Sequence, residues 1–408
     1  MISCDVAIVG AGAAGLGAAW RLASTSRSVV LIDARDRLGG RAHTVTTREG
    51  DPIDLGCEWL HSGDVNPLVP LFESLGIEID RTKPKWDEQD GNRGFSPEQQ
   101  REFAEAFDAF EERLAEAADQ GRDDAASRYF EPNGRWNALI DAVSSYYNGT
   151  EYDRVSVLDY ARYVDTGVNW RVRRGYGAAL SAMAGSVTCR LGVRVEAIED
   201  RPNGLILRSA GGDLEARHVV LSVPTTVLAG GRLILPSRFD AKVEAANGLP
   251  LGLANKVFFR LREPERFSVE GHLFGRIDTA ATGSYQLRPF GQPLIEGFFG
   301  GRHAAALEAE GPGAMTAFAL EELRGLFGAE LIRSIEPECE TAWGQDPFAL
   351  GSYSHALPGH AEARQVLAQQ VDDRVTWAGE ATHAQAFSTA HGAWETGLRA
   401  AEEILALR

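Results

Sequence analysis

The sequence has few cysteines and no long apolar run. The four cysteines among 408 residues are far apart and form no C-x-x-C pair: Cys4, Cys57, Cys189 and Cys339. This spacing is typical of free thiols in a reducing compartment and argues against a disulfide framework or a zinc site. No stretch of about twenty apolar residues could span a bilayer, and the strand pattern that begins by Asp5 leaves no room for a secretory signal. We therefore expect a cytoplasmic protein that does not bind a membrane.

Basic residues are also scarce. The 41 Lys and Arg residues are outnumbered by 58 Asp and Glu, which gives a formal net charge of −17. Nucleic acids and anionic membranes would be repelled by this charge, whereas a cationic substrate would be attracted. An acidic surface nevertheless serves more often for solubility alone. A Walker lysine motif, a G-x-S-x-G elbow and His-rich metal spacing are absent as well, so neither P-loop, serine-hydrolase nor metal chemistry is predicted.

The first forty residues carry a clear pattern. Four apolar residues lead into Gly10-Ala-Gly12-Ala-Ala-Gly15, and the next apolar run ends at Asp33, 23 residues after Gly10. Strand, tight turn, helix and strand in this order are typical of a dinucleotide site, in which the glycines allow the turn, the approach of pyrophosphate and close helix packing. An acid at this position favours FAD or NAD over NADP. The motif alone does not choose between those two, or exclude a glycine-rich turn of another α/β protein.

The segment that follows predicts a helical region. Residues 83–95 are polar and turn-rich, which indicates a boundary or loop. Ser96, with Pro97 next and Gln99 three residues on, predicts a helix that starts with a capping box. The Phe stripe that follows at helical spacing predicts core packing rather than a ligand site, and the acids between predict a solvated face.

Further motifs follow in a fixed order along the chain. They are Arg37-Leu-Gly-Gly-Arg41, Asp54-Leu-Gly56-x-x-Trp59-x-His61, Val219-Val-Leu-Ser-Val-Pro224, Leu251-Gly-Leu-Ala-Asn-Lys256-Val257, Asp346-Pro-Phe-x-x-Gly351-Ser-Tyr353-Ser, Ala378-Gly379-Glu380-Ala-Thr382 and His391-Gly392-Ala-x-x-x-Gly397. Together with the glycine turn, they resemble the flavin-containing amine oxidases, which include monoamine and polyamine oxidases. The resemblance covers nearly the whole chain and implies FAD as the cofactor.

The resemblance also implies which residues contact FAD. Gly10, Gly12 and Gly15 would hold the pyrophosphate, and Asp33 would bind the adenosine ribose where the family usually has Glu. The other residues expected near the phosphates, adenine, ribityl chain or flavin are Arg35, Gly40, Arg41, Val195, Gly379, Glu380 and Ala390. A helix predicted to begin after Gly392 would direct its N-terminus at the pyrimidine edge of the flavin, which favours reduction. Ser352 stands where monoamine oxidases attach FAD through cysteine, so the resemblance implies non-covalent FAD.

The resemblance places Lys256, Tyr353 and His61 in catalysis. Lys256 matches the family's lysine that holds a water near flavin N5, and burial is expected to lower its pKa; the alternative is an ordinary surface lysine. Tyr353 matches one wall of the aromatic pair that flanks the amine, and Thr389 stands at the opposite wall, where monoamine oxidases have a second tyrosine. The expected substrate-binding residues are Glu58, Trp59 and Thr389. For Glu58 and His61 the alternative is a structural role in the loop.

The expected fold is α/β, with a Rossmann-like FAD-binding domain interleaved with an α+β substrate-binding domain. We assign residues 1–80, 175–235 and 345–408 to the first and residues 81–174 and 236–344 to the second. The expected reaction is hydride transfer from the Cα–H of a polyamine-type or other primary or secondary amine to flavin N5, followed by imine hydrolysis and reduction of O2 to H2O2. The alternative is a desaturase, protoporphyrinogen-type oxidase or isomerase that acts on a non-amine. We expect a monomer or homodimer without nucleic acid or metal.

Overall fold

Two large β-sheets organise the chain. The computed structural model describes residues 2–407. The strands are β1 Ile2–Val9, β2 Val29–Ile32, β3 Thr44–Thr46, β4 Pro52–Asp54, β5 Trp59–Leu60, β6 Ile79–Asp80, β7 Trp170–Val172, β8 Thr188–Arg190, β9 Val195–Arg201, β10 Gly204–Ser209, β11 Leu214–Leu221, β12 Leu251–Gly252, β13 Ala254–Leu261, β14 Gly271–Phe274, β15 Ser284–Leu287, β16 Leu294–Gly300, β17 Ile335–Glu340, β18 Tyr353–Ser354 and β19 Val375–Trp377. The helices are α1 Ala13–Leu22, α2 Leu68–Ser74, α3 Pro97–Asp119, α4 Asn137–Asn148, α5 Val157–Ala161, α6 Tyr176–Ala182, α7 Thr225–Ala229, α8 Asp240–Asn247, α9 Gly301–Glu310, α10 Ala314–Leu331, α11 Ala363–Ala368 and α12 Ala390–Ala406.

The larger sheet has seven strands in the order β8-β2-β1-β11-β10-β9, with β19 paired to β11. β1 runs parallel to both β2 and β11. Between β1 and α1, Gly10 has φ +105°, a left-handed conformation that favours glycine. A Cβ at Gly15 would lie 1.8 Å from the carbonyl oxygen of Gly10, so a side chain there would force α1 away from the turn. The predicted unit of strand, turn, helix and strand is therefore confirmed.

The last helix, α12, packs on α1. A Cβ at Gly397 would lie 2.0 Å from the carbonyl oxygen of Ala14, so the two helices approach at backbone distance. Trp394 is fully buried in the core that they share. The sequence predicted that this helix begins after Gly392. It begins earlier, at Ala390, because the Thr389 hydroxyl accepts a hydrogen bond from the Gly392 N–H at 3.0 Å and caps the first turn.

The second sheet has five strands in the order β14-β15-β16-β13-β17. Side chains alternate between its two faces. One face packs on α9 and α10 and includes Val257, Phe259 and Ile295. The opposite face carries Lys256 and Glu296, and both line a large cavity. This alternation explains how a strand that is otherwise apolar presents a lysine to a site.

Helix α3 agrees with its predicted start. The Ser96 hydroxyl accepts from the Gln99 N–H at 3.3 Å, and the Gln99 side chain accepts from the Ser96 N–H at 2.9 Å. Phe110 and Leu114 are buried, as expected of core residues. The interpretation of the acids as a purely solvated face is wrong, because Glu111 lines the cavity.

The sheets divide along the predicted segments, with exceptions at their border. Strands of the seven-stranded sheet lie within 1–80, 175–235 and 345–408, and those of the five-stranded sheet lie within 236–344. Two small sheets connect the segments, because β12 pairs with β18, and β7 pairs with β5 and β6. The assignment of these segments to two domains stays a prediction. Across residues 2–407, no helix combines the length and apolarity needed to cross a membrane.

Candidate active site

A single cavity of about 1050 Å³ connects the glycine turn with the face of the five-stranded sheet that carries Lys256. Apart from Gly15, all the predicted site residues line this cavity. Gly15 instead lies behind the turn, where it lets the helix approach. The roles given to these residues stay predictions, but the fold brings them together. We call the end of the cavity beside the glycine turn the nucleotide end and the end beside Lys256 the substrate end.

At the nucleotide end, the carboxylate of Asp33 holds the turn in place. One of its oxygens accepts from the Ala11 N–H at 2.6 Å, and the other accepts from the Arg35 N–H at 2.7 Å. The guanidinium of Arg35 pairs with Asp346 at 2.6 Å and faces the ring of Phe348. Asp33 is buried by the surrounding turn. Each of its oxygens keeps a lone pair for a hydroxyl donor, which suits a ribose diol.

The middle of the cavity is organised by Glu380. Its Oε1 accepts from Arg41 at 2.9 Å, and its Oε2 accepts from the Ser354 hydroxyl at 2.6 Å and the Ser388 N–H at 3.0 Å. Burial alone would raise the pKa of Glu380, but Arg41 and Arg364 outweigh it and hold this pKa below its ordinary value. Glu380 is thus ionised and fixed in position by protein donors.

Three local features fit the bound dinucleotide that the family implies. Gly379 has φ +135°, and a Cβ placed there would meet nothing within 4 Å, so the backbone borders open cavity space. Ala390 lies at the N-terminus of α12, where free N–H groups and the helix dipole favour negative charge. Arg41 lines the same cavity and supplies a cation. These residues suit pyrophosphate and the electron-accepting edge of a flavin.

At the substrate end, Lys256 lies between two carboxylates. Its Nζ is 2.9 Å from Glu58 Oε2 and 2.7 Å from Glu296 Oε1. Glu58 also lies 3.7 Å from Arg171, which pairs with Glu270 at 2.6 Å. Burial would lower the pKa of Lys256, but Glu296 and Glu58 together outweigh burial and raise it. The expectation of a lowered lysine pKa is therefore wrong, and so is the alternative of a surface lysine.

Tyr353 and Thr389 both border the cavity, but their hydroxyls are engaged elsewhere. The Tyr353 hydroxyl donates to the Tyr146 carbonyl oxygen, and burial raises the pKa of Tyr353. The Thr389 hydroxyl caps α12 and donates to the Ala386 carbonyl oxygen at 2.6 Å. Thr389 therefore presents little more than its methyl group to a ligand, and Tyr353 presents its ring.

His61 and Trp59 also line the cavity. His61 Nδ1 is 2.7 Å from Asn169 Oδ1, and burial lowers the pKa of the imidazole, which keeps it neutral near pH 7. Trp59 makes an edge contact with Trp86 at 4.6 Å and faces the guanidinium of Arg171 at 4.7 Å. This part of the cavity wall is thus aromatic, with one neutral hydrogen-bonding group.

Sequence reasoning missed three acids at this end. Glu296 left a signal, because it is the one charge in the apolar strand Leu294-Ile-Glu-Gly-Phe-Phe299. Glu111 left none, since α3 carries many acids and only the tertiary fold selects the one that faces inward. Asp165 follows α5 in a polar loop and lines the cavity from an exposed position.

The fold and the cavity define a flavin-dependent oxidoreductase. Residues 13–405 match the family model of the flavin containing amine oxidoreductases, and the chain belongs to that family. The predicted family, α/β fold and FAD cofactor are thereby confirmed, and the protein is an FAD-dependent amine oxidase. The alternative of a non-amine substrate is not favoured.

The chain is similar to polyamine oxidases in sequence and to amine oxidases in structure. It is 29% identical to polyamine oxidase 3 of Oryza sativa subsp. japonica, over 97% of this chain and 88% of that protein. Its fold matches wild-type putrescine oxidase bound to putrescine with a TM-score of 0.78, at 20% identity over 99% of both chains. It matches cyclohexylamine oxidase from Brevibacterium oxydans IH-35A with a TM-score of 0.76, at 23% identity over 98% of both chains.

Proposed function

We propose that the substrate is a diamine or polyamine, and that O2 is reduced to H2O2. The observation that carries this proposal is a pair of acids in the substrate end, Glu111 and Asp165, which both line the cavity. Among residues 2–407, neither acid forms an ion pair with Lys or Arg within 4.0 Å. Two carboxylates without cations of the protein suit a substrate that brings a second ammonium group.

The two acids differ in setting. Glu111 is half-buried and accepts from the Tyr160 hydroxyl at 2.7 Å, and burial raises its pKa. Asp165 is exposed and accepts from the Gly167 N–H at 2.8 Å. An ammonium beside Glu111 would stabilise its ionised form, so binding of the second cation offsets the desolvation of this carboxylate. Asp165 would attract the same substrate at the cavity opening.

In the proposed reaction, the protein orients the amine and favours its neutral form. The rings of Tyr353 and Trp59 would flank the reacting carbon, and desolvation at this buried end would favour the neutral form of the amine over its ammonium form. Asp33, Arg41, Gly379 and Ala390 would hold FAD, which supplies the acceptor for a hydride from the α-carbon. The iminium product would leave and hydrolyse to a carbonyl compound.

The relatives support this substrate class, since one is a polyamine oxidase and another is a putrescine oxidase whose structure contains putrescine. We further infer non-covalent FAD. Ser352 exchanges hydrogen bonds with the backbone of Ala254, at 2.9 Å from its N–H and 2.8 Å to its carbonyl oxygen, and offers no thiol for attachment. Acid precipitation should release all the flavin into the supernatant. Four free cysteines support a reducing compartment such as the cytoplasm.

An anaerobic titration tests the substrate class. Putrescine and longer polyamines should bleach the flavin, and n-butylamine, which lacks the second charge, should do so at about tenfold higher concentration. Glu111→Gln should raise the KM for putrescine about tenfold and leave that for butylamine unchanged. Glu112→Gln, next to it on α3, is the matched control and should change neither. A flavin that no amine reduces would contradict the proposal.

A further inference from the structure

We propose that Glu58, Lys256 and Glu296 act as one proton-holding unit, in which Glu296 takes the proton from the substrate's ammonium group. The inference rests on the proposed function, since it concerns how that amine is made ready to lose a hydride. Nothing in the family motifs points to Glu296, which lies outside all of them.

The geometry of the sheet creates the unit. β13 and β16 are antiparallel, with Lys256 opposite Phe298 and Phe258 opposite Glu296. Glu296 is thus the diagonal neighbour of Lys256 on the same face, which lets the two long side chains meet. Glu58 approaches from the loop before β5 and also contacts Nζ. All three side chains are at least nine-tenths buried and line the cavity.

The charges of this cluster do not balance when all groups are ionised. Glu58, Glu270 and Glu296 are three carboxylates, and Lys256 and Arg171 are two cations. A surplus negative charge at a buried site is costly, and two neighbouring carboxylates relieve it by retaining a proton. Burial and the nearby Glu58 raise the pKa of Glu296 to about 8. Lys256 and Arg171 outweigh burial and hold the pKa of Glu58 below its ordinary value. The proton therefore resides on Glu296.

Other titratable groups around the unit do not replace Glu296. Burial raises the pKa of the Cys57 thiol to about 12 and that of Cys339 to about 11. Tyr353 also has a pKa raised by burial. Burial raises the pKa of Asp54, but this carboxyl does not line the cavity and is held by the Thr44 hydroxyl at 2.5 Å and the Tyr176 N–H at 2.8 Å. Glu270 is committed to Arg171 at 2.6 Å.

The proton step is balanced without any other reactant. An N–H bond of R–CH2–NH3⁺ breaks and its electron pair stays on nitrogen, while an O–H bond forms on the ionised Glu296. The neutral R–CH2–NH2 that results has the lone pair needed to expel a hydride from the α-carbon. After the iminium product leaves, Glu296 returns its proton to water in the cavity. Because the step requires ionised Glu296, its rate should fall as the pH drops below about 8.

The kinetic test follows anaerobic flavin reduction by putrescine in the holoenzyme from pH 6 to 10. The wild-type rate should rise with pH through a limb near 8. Glu296→Gln should lower the rate at pH 9 about a hundredfold, the size expected of a general base, and should abolish this limb. Glu296→Asp should restore a limb at a shifted pH. Glu322→Gln, which removes a half-buried carboxyl whose pKa is also raised by burial and which lies outside the cavity, is the matched control and should keep the wild-type profile.

The second readout needs no turnover. Infrared difference spectra of the oxidised holoenzyme should lose a carboxylic-acid C=O band as pH rises through 8. This band should be missing in Glu296→Gln and present in Glu322→Gln. A band that persists in Glu296→Gln, or an unchanged kinetic limb in that variant, would overturn the inference. If no amine reduces the flavin while the band still titrates, the proposed function fails and the proton-holding unit stands.

Discussion

The two ends of the cavity use carboxylates in opposite ways. At the nucleotide end and in the middle of the cavity, Asp33 and Glu380 are satisfied by backbone N–H groups, hydroxyls and Arg41. At the substrate end, Glu296 shares one lysine with Glu58, and within residues 2–407 the one hydrogen bond to the Glu111 side chain comes from the Tyr160 hydroxyl. Carboxylates whose oxygens are all hydrogen-bonded or ion-paired are fixed in position. Carboxylates with fewer donors or cations can still bind a cation or exchange a proton. The comparison separates binding of the cofactor from chemistry on the substrate.

The largest effect is expected for Lys256→Met, which removes the lysine shared by the carboxylates of the substrate end. It leaves Glu58 and Glu296 buried without their shared cation, and loss of one partner from a buried ion pair costs about 3–5 kcal/mol of unfolding free energy. Because protonation of Glu296 relieves the repulsion, the deficit in urea unfolding should grow as pH rises from 6 to 9. Flavin reduction by putrescine should slow at least about a hundredfold.

The control for this variant is Lys242→Met. Lys242 is equally buried but donates to backbone carbonyl oxygens of residues 366 and 367, outside the cavity. It should lose stability and keep its rate per bound flavin. A Lys256→Met enzyme with wild-type stability and rate would show that the substrate end does not depend on the shared lysine.

Gly15→Ala tests the close packing of α1 on the glycine turn at the nucleotide end. The new Cβ would lie 1.8 Å from the Gly10 carbonyl oxygen, so α1 or the turn must shift. We expect a loss of about 3 kcal/mol, typical of overpacking against a rigid neighbour, together with release of FAD during gel filtration. Gly325→Ala is the control, because Gly325 lies on an exposed turn of α10 and its Cβ would meet nothing within 4 Å. That variant should gain about 0.5–1 kcal/mol. Full FAD retention in Gly15→Ala would contradict the close approach.

The same two ends differ in how far the sequence predicts them. The glycine turn, Asp33 and the α3 capping box are local patterns, so residues close in the chain define them and the structure agrees. Glu111 and Glu296 meet the site only through α3 packing and the β13–β16 register. The pKa direction of Lys256 was mispredicted for the same reason, because it depends on two carboxylates that lie 40 and 198 positions away in the chain. Contiguous motifs can be predicted from the sequence, whereas the charge balance of residues that are distant in the chain cannot.

Glu380→Gln tests whether the Glu380 carboxylate is ionised, and we expect an intermediate loss of unfolding free energy. The amide cannot accept at both ends, so bonds from Arg41 or from Ser354 and Ser388 are lost. We expect a loss of about 2 kcal/mol at pH 7, the value of a hydrogen bond to a charged group. The pKa of Glu380 lies below its ordinary value of 4.5, so its stabilising effect is complete above pH 4.5 and disappears as pH falls through the lowered pKa. The gap between wild type and variant in urea unfolding should therefore close in acid. A gap that is constant with pH would contradict an ionised Glu380.

The smallest expected effect separates two roles of Thr389, which lies where the ends meet. Thr389→Ala removes the hydroxyl that caps α12 and should cost about 1 kcal/mol. Thr389→Ser keeps the hydroxyl and loses only the methyl group that borders the cavity, so its stability should stay within a few tenths of a kcal/mol of wild type. If Thr389 acts on the nucleotide end alone, the serine variant keeps the wild-type KM for putrescine. The alanine variant then changes FAD affinity more than it changes this KM. If the methyl group forms a wall for the substrate, Thr389→Ser raises KM while FAD affinity and unfolding free energy stay unchanged. Measuring KM, FAD affinity and urea unfolding on both variants therefore assigns the residue to one end of the cavity.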